Sequence, residues 1–149
     1  MKIMQSGKII EIDLEKFPFY WLTLTSSRYE MALEEPLKKL GLDNSKRRIL
    51  VLLASHPFLS VSDIAEHAIL KVPTTTRIIS RMKEDGLVEI SANPKDGRSI
   101  HVKMTALGHE KLLALEEATH EILNEVLSVL TEQEIDQLNG YLKNIFNRL

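Results

Sequence analysis

The fold is decided by residues 60–86, SVSDIAEHAILKVPTTTRIISRMKEDG. They open with the Ser-x-x-Asp spacing of a capping box, and the apolar residues behind it predict a short helix. A brief turn then leads to Pro73, and proline is favoured at the start of a helix. The second helix is expected to run to Asp85 and to stop at Gly86, which suits a left-handed C-cap. Two helices joined by so tight a turn predict a helix-turn-helix.

A polar hairpin follows this helix-turn-helix. After Gly86 the spacing of the apolar residues changes from about 3.6 to about 2, which is the change from helix to strand. Residues 87–90 and 100–104 each predict a short strand, and residues 91–99 between them predict a polar turn. A basic hairpin in this place is the arrangement of a wing. Residues 60–104 are therefore predicted to form a winged helix-turn-helix with a two-stranded wing, in a chain that is otherwise mainly α-helical.

Long amphipathic helices flank the winged unit. Residues 17–40 carry apolar residues at helical spacing, and Pro36 predicts a kink or a break near the end of this helix. Another helix is expected after the N-cap Asp43, and residues 105–149 predict two more, each after a threonine N-cap. Apolar stripes on the last two helices predict that residues 105–149 pack against a partner chain.

Length and composition indicate a single globular domain. The chain has 149 residues, of which 44% are hydrophobic and 27% are charged, so it can build one core and is too apolar for a disordered protein. We expect a loose N-terminal extension over residues 1–16 and one domain over residues 17–149. No apolar run approaches the roughly 20 residues of a membrane span, and no continuous signal-peptide core is visible. These features predict a cytoplasmic protein without a membrane partner.

The sequence offers little support for catalysis. It contains no cysteine, which excludes disulfides, thiolate catalysis and cysteine-ligated metals. It contains neither a Gly-x-Ser-x-Gly elbow nor a phosphate-binding glycine-rich loop. Glu116, Glu117 and His120 lie within about one helical turn and have the chemistry of zinc ligands, but a solvated acidic helix face explains them better. We therefore predict a protein that is not an enzyme and that holds no metal or cofactor.

Charge is distributed unevenly along the chain, although the net charge is only −2. Residues 71–104 hold seven Lys or Arg against four Asp or Glu, whereas residues 105–149 hold three against eight. A basic segment around the helix-turn-helix and the wing suits contact with phosphates. The pattern predicts that one face of the protein meets nucleic acid and that another face meets something else.

Motifs within residues 60–108 resemble those of the MarR (multiple antibiotic resistance regulator) family, and the element order of residues 17–149 is similar to the family's as well. The matching motifs are Ile64-Ala65, Thr76-Arg77-Ile78-Ile79-Ser80-Arg81-Met82, Gly86-Leu87-Val88-Glu89, Asn93-Pro94-x-Asp96-x-Arg98 and Met104-Thr105-x-x-Gly108. The resemblance implies a homodimer that binds pseudo-palindromic double-stranded DNA and whose dimerisation helices are residues 17–40 and 105–149. It also implies a repressor that a small, often aromatic or phenolic, effector releases. The chain departs from the family at Arg47, where a large apolar residue is usual, and at Ile90, where an arginine is common.

The second helix of the helix-turn-helix carries the predicted base contacts. A helix in the major groove needs donors, acceptors and methyl groups, which threonine and arginine supply. We expect Thr74, Thr76 and Arg77 to contact bases, and Arg81, one turn further on, to contact phosphate or to form an internal ion pair. The spacing of the following isoleucines points Thr75 toward the core instead. The alternative is that the threonines only cap and solvate a surface helix.

The tip of the wing supplies the second set of DNA-binding candidates, Lys95, Asp96 and Arg98. An acid two residues before an arginine can hold the guanidinium in one orientation for entry into a minor groove. We expect Asp96 to orient Arg98, because a carboxylate by itself would repel phosphate. The alternative is an ordinary hydrophilic hairpin in which the acid and the glycine serve only the turn.

A third group of candidates lies on the first predicted helix. Trp21, Thr25 and Arg28 occur at positions i, i+4 and i+7, so they share one face, with Tyr29 alongside. An aromatic plane, a hydroxyl and a guanidinium together suit an aromatic carboxylate as effector. The same stripe could instead pack in a dimer core, which is the commoner role of such stripes.

Two functions from different classes remain open. The first is a dimeric, sequence-specific regulator of transcription that binds double-stranded DNA. The second is a winged helix that serves only as a protein-interaction module, because a fold does not fix a function. The threonine- and arginine-rich helix and Arg98 favour the first, since an interaction module would not need them.

Overall fold

The computed structural model describes the backbone of residues 2–5, 8–11, 13–93 and 96–149, and the side chains of residues 13–91 and 101–149. Within this part of the chain there are six α-helices, as the predicted fold class requires. They are α1 (Pro18–Lys39), α2 (Asn44–Ser55), α3 (Val61–His67), α4 (Val72–Glu84), α5 (Ala106–Leu127) and α6 (Glu132–Phe146). None of these helices has both the length and the apolar character needed to cross a membrane.

The N-terminal residues form regular structure where the sequence predicts a loose extension. Strands β1 (Lys2–Gln5) and β2 (Lys8–Glu11) pair antiparallel, with Ile3 opposite Ile10. A short 3-10 helix, Leu14–Lys16, follows and leads into α1. The prediction of a loose start is therefore wrong. Strands of four residues are too short for their period-2 pattern to stand out from the sequence.

The wing belongs to a three-stranded sheet, one strand more than predicted. Strands β3 (Leu59–Ser60), β4 (Val88–Asn93) and β5 (Asp96–Met104) are antiparallel in the order β3-β5-β4. The two residues of β3 pair with Val102 and His101 of β5. A strand of two residues has no periodicity, and its partner lies about forty positions away, so sequence patterns do not reveal it.

Helix α1 continues through Pro36 to Lys39, so the helix is not broken there. Proline removes one hydrogen bond of the helix, but Leu33 and Leu37 on either side of it are buried in the core and hold the last turn in place. The helix ends at Lys39, and Gly41, two residues later, has a φ of +71°, as predicted for a left-handed stop.

One core joins α1 to α5 and the wing sheet. The side chains that are at most 2% exposed include Leu33, Leu37, Ile49, Leu50, Leu53, Ile64, Ile79, Met82, Val88 and Val102. Helix α5 adds Leu112 and Leu115 to this core. Helix α6 contributes no buried side chain among the described residues. Its apolar stripe therefore lies outside the core of the single chain.

Removal of the Ser60 hydroxyl is expected to destabilise the protein by about 1 kcal/mol, because Ser60 caps α3. Ser60 Oγ accepts a hydrogen bond from the Asp63 N–H (3.1 Å), and the Asp63 carboxylate accepts one from the Ser60 hydroxyl (2.7 Å) and one from the Ser60 N–H (3.0 Å). Urea unfolding at neutral pH should show the loss in Ser60→Ala and none in the control Ser62→Ala, which changes an exposed neighbour.

The contribution of this cap is expected to depend on pH. The Ser60 hydroxyl, and then its N–H, lower the pKa of Asp63 below the usual value for aspartate. The stabilisation is therefore complete above the usual pKa and is lost as the pH falls through the lowered one. Asp63→Asn should thus be less stable than the wild type at neutral pH, and the difference should shrink in acid. A pH-independent difference would contradict this account.

Candidate DNA-binding interface

The turn between α3 and α4 fixes the angle at which α4 leaves the domain. The N–H of Leu70 donates to the carbonyl oxygen of Ala65 (2.8 Å), which closes the C-terminal end of α3. Ile69 takes the left-handed position that this turn requires, with a φ of +53°, although it is β-branched. Its side chain is 71% exposed. The turn is therefore tight and strained, and it presents α4 on the surface.

The inner face of α4 packs on the core. Thr75, Ile79 and Met82 are buried at 0%, 2% and 0% exposure. The Thr75 hydroxyl donates to the carbonyl oxygen of Lys71 (3.2 Å), so its polar atom is satisfied within the helix. The prediction that Thr75 points inward is confirmed.

The outer face of α4 brings together the four predicted DNA-binding residues of this helix. Thr74, Thr76, Arg77 and Arg81 are all exposed. The Thr76 hydroxyl donates to the carbonyl oxygen of Val72 (2.9 Å), so its oxygen can still accept a hydrogen bond. Among the described side chains, neither arginine forms a salt bridge. The internal ion pair considered for Arg81 is therefore not formed with any of these side chains.

The wing is described only in part. Lys95 lies outside the described residues, and the side chains of Asp96 and Arg98 lie outside them as well, although both residues belong to β5. At the base of the wing, Lys103 Nζ pairs with Glu89 Oε1 on the neighbouring strand (2.6 Å). Ile90 is partly buried against the core. The departure from the family at Ile90 therefore adds an apolar contact.

Two of the three effector candidates line one groove. Trp21 and Thr25 of α1 face Leu138, Tyr141 and other apolar residues of α6 across a cavity of about 470 Å³. The indole N–H of Trp21 donates to the carbonyl oxygen of Glu15 (2.9 Å). Arg28 is exposed and is not among the residues that line this cavity. The groove is almost wholly apolar, so it lacks the cation that the sequence interpretation assigned to it.

Unlike Arg28, Arg47 lines a cavity. In the sequence, Arg47 is singled out only as a departure from the family. Its Cζ lies 5.4 Å from the centroid of the Tyr29 ring, and one terminal nitrogen donates to the Tyr29 hydroxyl over 3.5 Å. The two residues share a second cavity, of about 90 Å³, between α1, α2 and α5. The sequence signal that could have pointed to this cavity is Arg47 itself, a cation where the family usually has a large apolar residue.

The next residue of α2 connects α1 to the helix-turn-helix. Arg48 pairs with the Glu30 carboxylate of α1 (3.3 Å) and also donates to the carbonyl oxygen of Ala68 (3.3 Å). Ala68 is the C-cap of α3. Arg48 therefore links α1 and the first turn of α2 to the end of α3.

Lys46 forms a similar connection to the other helix of the pair. Its ammonium pairs with the Asp85 carboxylate at the C-cap of α4 (2.7 Å) and donates to the carbonyl oxygen of Gly41 (3.3 Å). The Lys46 side chain is only 16% exposed, so water screens this pair less than a pair on the open surface. The end of α4 is thus fixed to the corner between α1 and α2.

Known proteins share this fold. A sequence profile of the MarR family matches residues 42–100. The HTH-type transcriptional repressor IacR of Pseudomonas putida is 40% identical over 139 residues, which are 93% of this chain and 83% of that protein. A mutant MarR from E. coli, solved in complex with operator DNA, superimposes with a TM-score of 0.78 at 20% identity, over 91% of this chain and 99% of that one. The PcaV regulator from Streptomyces coelicolor, solved with its natural ligand, gives a TM-score of 0.78 at 17% identity, over 93% and 97% of the two chains. The chain belongs to the MarR family.

Proposed function

We propose that the protein is a sequence-specific repressor of transcription that binds double-stranded DNA. The observation that carries the proposal is the outer face of α4, where two threonines and two arginines are exposed while the opposite face is buried. From Val72 to Lys83 this helix contains no acidic residue, so this stretch of its surface attracts phosphate. The 40% identical relative is a repressor, and MarR from E. coli binds operator DNA.

The proposal includes a homodimer. Two copies of α4 would occupy successive major grooves roughly 34 Å apart, which matches a pseudo-palindrome with half-sites about one helical turn apart. The apolar stripe of α6, which contributes nothing to the core of the single chain, supports a partner chain at that face. Trp21 and Thr25 belong to the same groove, so packing between chains explains them better than an effector site does.

We assign the second part of the DNA contact to the wing. Asp96 begins β5 and so lies at the end of the hairpin farthest from α5, with Lys95 and Arg98 beside it in sequence. An arginine at such a tip reaches the narrower minor groove and adds affinity and shape preference more than base readout. Asp96 would hold Arg98 in orientation, as the sequence interpretation proposes.

Arg77→Ala is expected to weaken binding to the preferred operator by roughly 1–3 kcal/mol and to relax base preference at one symmetric position. The operator would first be selected from a random duplex library, and binding of single-base variants would then be measured by fluorescence anisotropy. Arg28→Ala removes the same charge from α1 and should leave base preference unchanged. An Arg77→Ala protein with the wild-type order of base preferences would refute the assigned contact.

The same selection separates this proposal from a protein-interaction module. A regulator should enrich a pseudo-palindrome, and its binding should weaken steeply with salt because phosphate contacts release counterions. A wild-type protein that enriches no duplex at low salt would contradict the proposed function and favour the module.

A further inference from the structure

Helix α4 begins with two exposed apolar residues, Val72 and Pro73, ahead of its threonines and arginines. The Val72 side chain is 47% exposed, and Pro73 is exposed as well. Thr76 and Arg77 follow Pro73 by three and four residues, so these three residues are neighbours on the surface of the helix. Val72 and Pro73 thus form an apolar patch at the N-terminal end of the face that the proposed function assigns to DNA.

The fold does not account for the apolar character of this patch. Neither Val72 nor Pro73 belongs to the core of the described residues or to the partly buried side chains packed against it. Proline suits the first turn of a helix because of its backbone, but valine is one of the weaker helix formers. An exposed valine at this position is therefore better explained by contact with a ligand than by the stability of α4.

The major groove of DNA offers an apolar side chain one methyl group, the C5-methyl of thymine. The N-terminal residues of a recognition helix are the ones that contact base edges. No acidic residue between Val72 and Lys83 opposes the approach of this end of α4 to the phosphates. The apolar patch therefore lies where a base edge is met, and its chemistry suits thymine.

Thr76 indicates which group lies beside that methyl group. Its hydroxyl donates to the carbonyl oxygen of Val72 (2.9 Å), so toward a base it can only accept a hydrogen bond. The donors in the major groove are the amino groups of adenine and cytosine. An A·T pair presents both an amino group and a methyl group there, so the patch and Thr76 together favour A·T pairs at this end of the helix.

We propose that Val72 and Pro73 are specificity-determining residues that together contact the C5-methyl group of a thymine in each half-site of the operator. The proposal rests on the proposed function, which it deepens by naming the base and the group of that base that the protein recognises. It predicts that the protein distinguishes thymine from uracil, although the two bases carry the same hydrogen-bonding groups.

The test removes single methyl groups from the operator that the random duplex library yields. Each symmetry-related pair of thymines would be replaced in turn by deoxyuridine, and binding of the full-length protein would be measured by fluorescence anisotropy. One such replacement should weaken binding roughly ten- to a hundredfold, which is about three- to tenfold for each methyl group. At the same positions, 5-methylcytosine should bind more tightly than cytosine. If no replacement by deoxyuridine weakens binding, or if the half-sites contain no thymine, the proposal is overturned.

A double variant locates the methyl contact on the protein. Val72→Ala/Pro73→Ala should bind the thymine and deoxyuridine operators equally at that one pair and should keep the wild-type response at other base pairs. Val51→Ala/Pro57→Ala is the matched control, because it removes a valine and a proline from exposed positions outside α4, and Val51 is 45% exposed. The control should lose affinity on deoxyuridine as the wild type does. A Val72→Ala/Pro73→Ala protein with the full wild-type loss would overturn the assignment, and its binding to random duplex DNA at low salt shows whether it is folded.

The failure of this inference can be told apart from the failure of the proposed function. A wild-type protein that enriches a pseudo-palindrome but binds its deoxyuridine form equally well retains the function and refutes the methyl contact. A wild-type protein that enriches no duplex refutes both.

Discussion

Simultaneous replacement of Leu142 and Ile145 by glutamate is expected to make the protein monomeric and to weaken operator binding on the order of a hundredfold or more. Both residues line the apolar groove that α6 forms with α1, and two carboxylates there would have to be buried without partners in a dimer. A monomer engages one half-site at a time, so it loses the gain that comes from linking two binding events. Sedimentation would report the mass, and anisotropy would report the affinity.

The control for this pair adds the same two charges to the same helix. Gln137→Glu and Asn144→Glu change exposed residues of α6 that do not line the groove. They should leave both the mass and the affinity close to those of the wild type. A wild-type protein that sediments only as a species of 17.0 kDa, or a doubly substituted Leu142/Ile145 protein that remains a dimer, would show that α6 does not form the interface.

Gly108→Ala is expected to destabilise the protein by about 3 kcal/mol, at the upper end of the usual cost of overpacking. A Cβ at this position would collide with the carbonyl oxygen of Leu87 and would lie 2.5 Å from the Met104 side chain. The Leu87 carbonyl cannot easily retreat, because it accepts a hydrogen bond from the Thr105 N–H (3.1 Å) at the junction of the wing and α5. Urea unfolding of the purified protein measures the loss.

Gly140 provides the comparison, since it is also a helical glycine. A Cβ added there meets nothing within 4 Å, so Gly140→Ala should gain up to about 1 kcal/mol from helix propensity. Equal effects of the two substitutions would mean that close packing at Gly108 is not what excludes a side chain. The result also bears on the sequence motif, because Gly108 is one of the positions that the chain shares with the MarR family.

The helix starts could be predicted because their determinants are local. Asp43, Ser60, Thr105 and Thr131 each accept a hydrogen bond from a backbone N–H three residues later, as their sequence spacing predicts. The strands that the sequence missed depend on partners instead. β3 exists because its two residues find β5 across about forty positions, and no pattern within two residues records such a partner.

The same distinction separates the two parts of the candidate site. The outward threonines and arginines of α4 follow from helical period alone, since the buried positions fix the exposed ones. The effector candidates do not, because a cavity arises from the packing of several helices. Helical spacing placed Arg28 on one face with Trp21, whereas the packing of α2 against α1 and α5 brings Arg47 to a cavity.

Ser60 has a mechanical consequence for how the protein can respond to a ligand. It is the last residue of β3 and also the N-cap of α3, so β3 of the wing sheet continues directly into the helix-turn-helix. Arg48 and Lys46 fasten the far ends of α3 and α4 to α2. We therefore expect each winged unit to move as one rigid body. In the proposed dimer, we expect a ligand to change the distance between the two winged units while each unit keeps its own shape.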